Sequence, residues 1–117
     1  MAEIIHKQLS FKVVGLAMQL HTELGYGFLE KVYENSLMIL FRENGIKAEQ
    51  QVKIKVNFNG HIVGDYIAGI LVEDCIVLEL KSQSSLTKID IAQSINYLRA
   101  TSLKLAILLN FGKSSLE

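Results

Sequence analysis

The spacing of the apolar residues changes at Gly45, and this change limits the folds that the chain can adopt. Before Gly45, apolar residues recur every three or four positions, which is the spacing of amphipathic helices. After Gly45 they alternate with polar residues, which is typical of a half-buried strand. Near the end of the chain a second helical pattern precedes a continuous apolar run. The sequence therefore predicts helices and strands in the order ααβββαβ.

Two helices are predicted in the first part of the chain. The first covers residues 9–24, with Ser10 as its N-cap and Gly25 just past its end. The second covers about residues 28–44 and ends at Gly45 in the same way. The residues predicted to face the core are Val13, Leu16, Ala17, Leu20 and Leu24 in the first helix, and Leu29, Val32, Tyr33, Leu37, Leu40 and Phe41 in the second.

A meander of three strands is predicted to follow. The first strand covers residues 48–58 and ends at Asn59-Gly60, a strong signal for a tight hairpin turn. The second strand covers residues 61–73, with a bulge or bend at Gly64. A tight turn leads into the third strand, residues 75–81, which is apolar on both faces until Glu79 and is therefore predicted to be central.

The last part of the chain predicts a helix and a buried strand. Thr87 or Asp90 caps the helix, which covers residues 89–102, and the strand covers residues 103–112. The inward stripe of this helix is predicted to contain Ile91, Ile95 and Leu98. Because a helix joins the third and fourth strands, these two strands are expected to be parallel. The predicted fold class is α/β, with a central mixed four-stranded sheet flanked by helices.

Composition limits the class of protein. Half of the 117 residues are hydrophobic, which is enough for one core, so a single domain over residues 1–117 is expected. Twelve basic and twelve acidic residues give a formal net charge of zero, so the chain lacks the basic footprint of a strong nucleic-acid binder. A single cysteine excludes an intrachain disulfide. Without an apolar leader or a run long enough to span a bilayer, a cytoplasmic protein and no membrane partner are expected.

Glu79 and Lys81 place two charges inside the apolar third strand. Alternation puts both side chains on one face, roughly 7 Å apart along the strand. They are too far apart for a tight ion pair but close enough to share one bound group. A carboxylate of this kind can hold Mg²⁺ or Mn²⁺, and a neighbouring lysine can activate water beside a phosphodiester. A solvated pair of surface charges is the alternative.

Five motifs in order carry a resemblance to a known family. They are "HTELG" at residues 21–25, "GFLEKVY" with Gly27, Glu30 and Tyr33, "LVEDCIVLELKS" with Glu79 and Lys81, "AQSINYL" with Gln93 and Tyr97, and "LLNFG" at residues 108–112. Together they span about residues 10–112. The chain resembles the GxxExxY family, a small branch of the PD-(D/E)XK nuclease-like superfamily.

The resemblance implies a restriction-endonuclease-like core whose active residues lie where two strands diverge. It implies metal-dependent hydrolysis of phosphodiesters in nucleic acid, with Mg²⁺ or Mn²⁺ as cofactor. Glu79 and Glu30 would be metal ligands and Lys81 would activate water. Gln93 and Tyr33 would contact the substrate. From the residues alone, Glu30 is equally a helix-dipole acid, Tyr33 a core aromatic, and Gln93 a buried amide that satisfies the backbone.

The chain departs from the family pattern at position 69. The superfamily usually has a metal-binding aspartate on the strand before Glu-x-Lys, and the corresponding residue here is Gly69. This departure predicts a degraded metal site, or none. A catalytically inactive relative that binds nucleic acid or protein is therefore a second hypothesis. A homodimer formed through the exposed edge of the meander is a third.

Overall fold

The computed structural model describes residues 6–117, and it shows three helices and four strands. These elements are α1 (Lys7–Leu24), α2 (Glu30–Glu43), β1 (Ala48–Phe58), β2 (His61–Val72), β3 (Ile76–Lys81), α3 (Lys88–Ala100) and β4 (Leu105–Asn110). The order ααβββαβ and the α/β class are confirmed. Among the described residues, no helix is long and apolar enough to cross a membrane.

The four strands form one mixed sheet in the order β1-β2-β3-β4. Strands β1, β2 and β3 are antiparallel neighbours, and β4 runs parallel to β3, as the crossover through α3 requires. Asn59 and Gly60 both have positive φ, as do Glu73 and Asp74, so the two predicted tight turns are present. The register of β1 and β2 shifts beside Gly64, where a bulge was predicted.

Two of the predicted helix starts are wrong. Helix α1 begins at Lys7, and Ser10 lies inside it, where its hydroxyl donates to the carbonyl of His6 one turn earlier. Helix α2 begins at Glu30, and the preceding residue, Leu29, is 80% exposed. By contrast, Thr87 caps α3 and forms a reciprocal capping box with Asp90.

The inward faces of α2 and α3 differ from those predicted. In α2 the buried residues are Tyr33, Glu34, Leu37 and Phe41, so a glutamate joins the inward stripe while Val32 is exposed. In α3 the predicted Ile91 and Ile95 are exposed, and only Leu98 of that stripe faces the sheet, together with Ser94 and Tyr97. Periodicity alone did not fix the rotation of either helix because each stripe has equally spaced neighbours.

The core lies on both faces of the sheet. The larger cluster packs α1 and α2 against Ile70, Ile76 and Leu78, and the smaller one packs α3 against Tyr66 and Val77. In a regular strand, all even-numbered residues of β2 would lie on one face. Here Tyr66 and Ala68 face α3, whereas Ile70 and Val72 face α1 and α2.

The switch occurs at Gln51 and Gly69, which lie opposite each other in β1 and β2. Every residue from Ala48 to Val56 pairs with β2 except Gln51, which has φ 54°. The left-handed backbone at Gln51 sends its side chain to the same side as that of Gln50, and both amides reach Glu34 on α2. Beyond Gln51 and Gly69, the half of the β1–β2 hairpin that leads to the turn at Asn59-Gly60 therefore buries its apolar face against α3.

Asn110, at the end of β4, holds the segment that follows β3. Its side chain is fully buried. Its carbonyl oxygen accepts from the backbone N–H groups of Gln83 and Gly112, each at 3.0 Å, and its amide donates to the Gln83 carbonyl at 3.0 Å and to Glu117 at 2.9 Å. All of these groups would lose a partner if the amide were removed.

We expect Asn110→Leu to lower the free energy of unfolding by about 2–3 kcal/mol, because it leaves buried backbone groups unsatisfied while keeping the side-chain volume. Urea unfolding followed by circular dichroism measures the change. Asn57→Leu, a matched substitution at an exposed position of β1, should change the stability by less than about 0.5 kcal/mol. Equal losses from both substitutions would contradict the role of Asn110.

Candidate active site

Strands β2 and β3 separate at Gly69 and Glu79, and the candidate site lies at this fork. The two strands pair at only three positions, from Val72 opposite Ile76 to Ile70 opposite Leu78. Gly69 and Glu79 come next, and there the ladder stops while β2 continues with β1 alone. The backbone N–H of Gly69 still points to the Glu79 carboxylate, at 3.4 Å from Oε1.

Glu79 is held in the fork by a tyrosine pair. The Tyr66 hydroxyl donates to Glu79 Oε1, and the Tyr66 ring stacks on Tyr97 of α3 with 3.5 Å between ring centroids and 17° between the planes. Tyr97 belongs to a motif noted in the sequence, but its stacking partner was not predicted. Tyr66 and Ala68 are two residues apart on β2, so their side chains lie on the same face of the strand, toward α3. This period-two spacing is the sequence signal that could have identified Tyr66.

Burial raises the pKa of Glu79 to about 7 from its ordinary 4.5. The N–H of Gly69 and the charge of Lys81 oppose this rise, while the carboxylates of Glu34 and Glu30 add to it. A carboxyl group with this pKa changes its charge near neutral pH. Perturbed groups of this kind are concentrated at functional sites.

Lys81 lies two residues beyond Glu79 at the end of β3, and its side chain is half-buried. Its charge lowers the pKa of Glu79 and also that of Asp90, which is lowered mainly by the backbone N–H of Thr87. Within the part of the chain that the structure describes, Lys81 forms no ion pair of 4.0 Å or less.

Glu34 is the acidic residue that the sequence reasoning missed. It is buried on α2 and accepts from Lys31 Nζ at 3.1 Å, from Gln50 at 2.9 Å and from Gln51 at 3.2 Å. Glu30 lies one helical turn earlier and is exposed. Glu34 precedes the buried Leu37 by three residues, so its spacing is compatible with the inward stripe, but it does not by itself distinguish this rotation of α2 from a neighbouring one.

The missing side chain of Gly69 would point toward Glu34. A Cβ atom at position 69 would lie 3.2 Å from the carbonyl oxygen of Leu78 and 3.7 Å from Glu34 Oε2. Gly69 is not among the residues with positive φ, so its backbone accepts other residues without left-handed strain. An acidic side chain at this position would therefore begin next to the Glu34 carboxylate, on the residue whose backbone N–H faces Glu79.

Among the described residues, the other two predicted site residues, Tyr33 and Gln93, make no hydrogen bond to Glu79 or Lys81. Tyr33 is fully buried, stacks on Phe111 with centroids 4.4 Å apart, and donates from its hydroxyl to the carbonyl of Gly25 at 2.7 Å. This matches the core-aromatic interpretation, and a substrate contact by Tyr33 stays a prediction. Gln93 is exposed on α3, one turn before Tyr97, rather than a buried amide.

An open cleft of about 770 Å³ adjoins the fork. Its walls are the turn before α2, the first turns of α2, Gln51 of β1, and the segment that directly follows Lys81. Its lining residues are Gly27, Phe28, Leu29, Glu30, Lys31, Glu34, Gln51, Ser82, Gln83, Ser84 and Gly112. The cleft thus contains Glu30 and Glu34, while Glu79 and Lys81 lie beyond its edge.

The carboxylates near the fork are of a type that binds hard divalent cations, but too few of them are grouped together to form a complete site. Carboxylate oxygens are the ligands that Mg²⁺ and Mn²⁺ prefer. Across residues 6–117, however, no three side chains of the types His, Cys, Asp and Glu are grouped closely enough to hold a metal ion. Position 69 supplies no carboxylate, and the Glu34 carboxylate already accepts from three side chains.

Glu79 gives a prediction about pH. The pKa of Glu79 is higher in the folded protein than in the unfolded chain. The free energy of unfolding therefore falls as the pH rises from about 4.5 to about 7, and it stays at the lower value above pH 7. We expect Glu79→Gln to be more stable than the original chain by about 2 kcal/mol near pH 8, and by much less near pH 5. Urea unfolding at the two pH values measures this.

The exposed carboxylate of Glu49 provides the control. Glu49→Gln should change the free energy of unfolding by similar small amounts at both pH values, because an exposed carboxylate keeps its water contacts when the chain folds. If Glu79→Gln showed no more pH dependence than Glu49→Gln, the assignment of a buried, high-pKa carboxyl group to Glu79 would be wrong.

Comparison with known protein families gives a match over nearly the whole chain. The model described as PD-(D/E)XK nuclease superfamily matches residues 7–117, which is nearly the whole chain. Comparisons with curated proteins and with solved structures gave no match. The matched range includes both strands of the fork, the charged pair on β3 and all three helices. The chain therefore belongs to the PD-(D/E)XK nuclease superfamily.

Proposed function

We propose that this chain is a nuclease-like protein of the GxxExxY branch that acts on phosphodiesters in nucleic acid through a weakened divalent-cation site. The observation that carries the proposal is the fork, where the Glu79 carboxylate, the Lys81 ammonium and the backbone of Gly69 are neighbours. The superfamily match supports the substrate class, and the motifs support the branch.

In this proposal Glu79 and Glu30 are the cation ligands, with Mg²⁺ or Mn²⁺ as the cation. A bound cation would neutralise charge on the phosphoryl oxygens and on the attacking oxygen. Lys81 holds the attacking water or a phosphate oxygen by hydrogen bonds from its ammonium group. Gln93, which is exposed on α3 one turn before Tyr97, contacts the substrate strand. Tyr66 fixes the Glu79 carboxylate against rotation.

The raised pKa of Glu79 supports cation binding at the fork. The carboxylates of Glu34 and Glu30 add to the effect of burial, and a cation would relieve both the burial penalty and the repulsion. Cation binding should therefore release protons near neutral pH and become weaker as the pH falls below about 7.

A second candidate function is a catalytically inactive relative that binds nucleic acid or protein. Gly69 and the absence of a three-ligand group among residues 6–117 favour it. A homodimer formed through β1, an edge strand of the sheet, belongs to the same alternative, and light scattering would test it. Titration calorimetry with Mn²⁺ separates the two functions: binding that is lost in Glu79→Gln supports the first, and no heat supports the second.

Restoring an acid at position 69 is the sharper test. We expect Gly69→Asp to raise the affinity for Mn²⁺ roughly tenfold or more, because it adds a carboxylate to the residue whose backbone N–H faces Glu79. Without metal the same variant should be less stable, since the new charge lies near Glu34 and its Cβ is crowded by the Leu78 carbonyl. Calorimetry measures the affinity, and thermal unfolding with and without Mn²⁺ measures the stability.

Gly69→Asn is the matched control, because it adds almost the same volume without a charge. It should lose stability through crowding but gain little affinity for Mn²⁺. If folded Gly69→Asp bound Mn²⁺ no more tightly than Gly69→Asn, then position 69 would not correspond to the superfamily's ligand position.

Lys81 is tested by cleavage of labelled DNA and RNA in Mn²⁺. We expect Lys81→Ala to lower the cleavage rate by a factor of about 100 or more while leaving Mn²⁺ affinity largely unchanged, because the ammonium group acts on the reacting groups and not on the cation. Lys47→Ala, which removes an exposed lysine paired with Asp74, is the control and should keep the rate. Equal rates for the two variants would remove Lys81 from the mechanism.

A further inference from the structure

We infer that the cleft beside the fork binds an unpaired nucleotide, whose base stacks on the exposed ring of Phe28. This inference rests on the proposed function, because nucleic acid is its ligand, and it specifies the substrate class as single strands or unpaired ends. The cleft volume of about 770 Å³ lies within the range of pockets that enclose small organic groups. One wall of the cleft is formed by Ser82, Gln83 and Ser84, the residues that directly follow Lys81.

Phe28 is an exposed aromatic residue on a fixed backbone. The residue as a whole is 45% exposed to solvent. Its N–H donates to the Tyr33 hydroxyl at 3.3 Å, and its carbonyl accepts from Ser82 Oγ at 2.6 Å. Its ring also packs nearly perpendicular to the buried Tyr33 ring, with 6.1 Å between centroids and 77° between planes. The ring thus offers an apolar surface to the cleft without needing to be ordered first.

A flat ring in this position suits a base better than a paired strand. Stacking on an aromatic side chain requires the face of the base, which is covered by its neighbours inside a duplex. Stacking is also tolerant of base identity, so the expected preference is for unpaired structure rather than for a sequence. The polar side chains of Gln83 and Ser84 line the same cleft and offer hydrogen-bonding groups.

Charge in the cleft makes this binding dependent on a cation. Glu30 and Glu34 both line it, and Lys31 is paired with Glu34 at 3.1 Å. A phosphate beside these carboxylates is repelled until positive charge is added. Strand binding should therefore be tighter with Mn²⁺ than with a chelator present.

The test uses the absence of tryptophan from the sequence. Phe28→Trp places a single fluorescent indole in the cleft, and Phe11→Trp places one on α1, at a phenylalanine that is 82% exposed and lines a different groove. Both variants are titrated with a short oligothymidine, with oligouridine and with a DNA duplex, each with and without Mn²⁺. We expect quenching by the single strands in Phe28→Trp with Mn²⁺, much weaker quenching by the duplex, and none in Phe11→Trp.

Affinity provides the second measurement. By fluorescence anisotropy of labelled single strands, Phe28→Ala should bind about tenfold more weakly than the original chain, and Phe11→Ala should be unchanged. Thermal unfolding of each variant shows whether it is folded, and Phe28→Leu, which keeps the apolar volume, should also bind more weakly because it lacks a flat face. Oligodeoxyuridine and oligouridine differ only in the 2′-hydroxyl, so a comparison of their affinities shows which sugar the cleft accepts.

The outcomes separate this inference from the proposed function. Quenching by single strands without any cleavage supports the stacking site while contradicting hydrolysis. Cleavage with no quenching in Phe28→Trp, or equal quenching by duplex and single strand, overturns the stacking site while the proposed function stands. Unchanged affinity in folded Phe28→Ala overturns it as well.

Discussion

The separation of β2 from β3 at Gly69 is the constraint on which the candidate site depends. Up to Ile70 and Leu78 the two backbones satisfy each other, and beyond them the carboxylate of Glu79 fills the opening. A buried carboxylate needs partners, and the structure provides the Gly69 N–H and the Tyr66 hydroxyl. Two partners do not fully replace water, so burial still raises the pKa of Glu79 to about 7.

The kink at Gln51 connects this fork to the helices. The left-handed backbone there, an uncommon conformation for a residue other than glycine, brings two glutamine amides onto Glu34. These contacts, with Lys31, allow a glutamate to occupy the inward face of α2. A second acidic residue can therefore lie near Glu79, and its charge contributes to the high pKa.

The cleft depends on contacts made far along the chain. Asn110 on β4 fixes the backbone of Gln83, and Ser82 donates to the carbonyl of Phe28. The turn before α2 and the segment after β3 are thus held together, although more than fifty residues separate them. This arrangement gives an exposed aromatic ring a fixed position next to the charged end of β3.

Residue spacing by itself determined the element order, both tight turns, the parallel pairing of β3 with β4, and the common face of Glu79 and Lys81. These features follow from local periodicity and turn chemistry, which act over a few residues. Only the tertiary structure decided that Glu34 is buried, that Ile91 and Ile95 face solvent, and that Tyr66 contacts Glu79. Such features depend on the rotation of each helix and on the break in β1–β2 pairing at Gln51 and Gly69. Both are set by packing between distant segments, which local patterns do not encode.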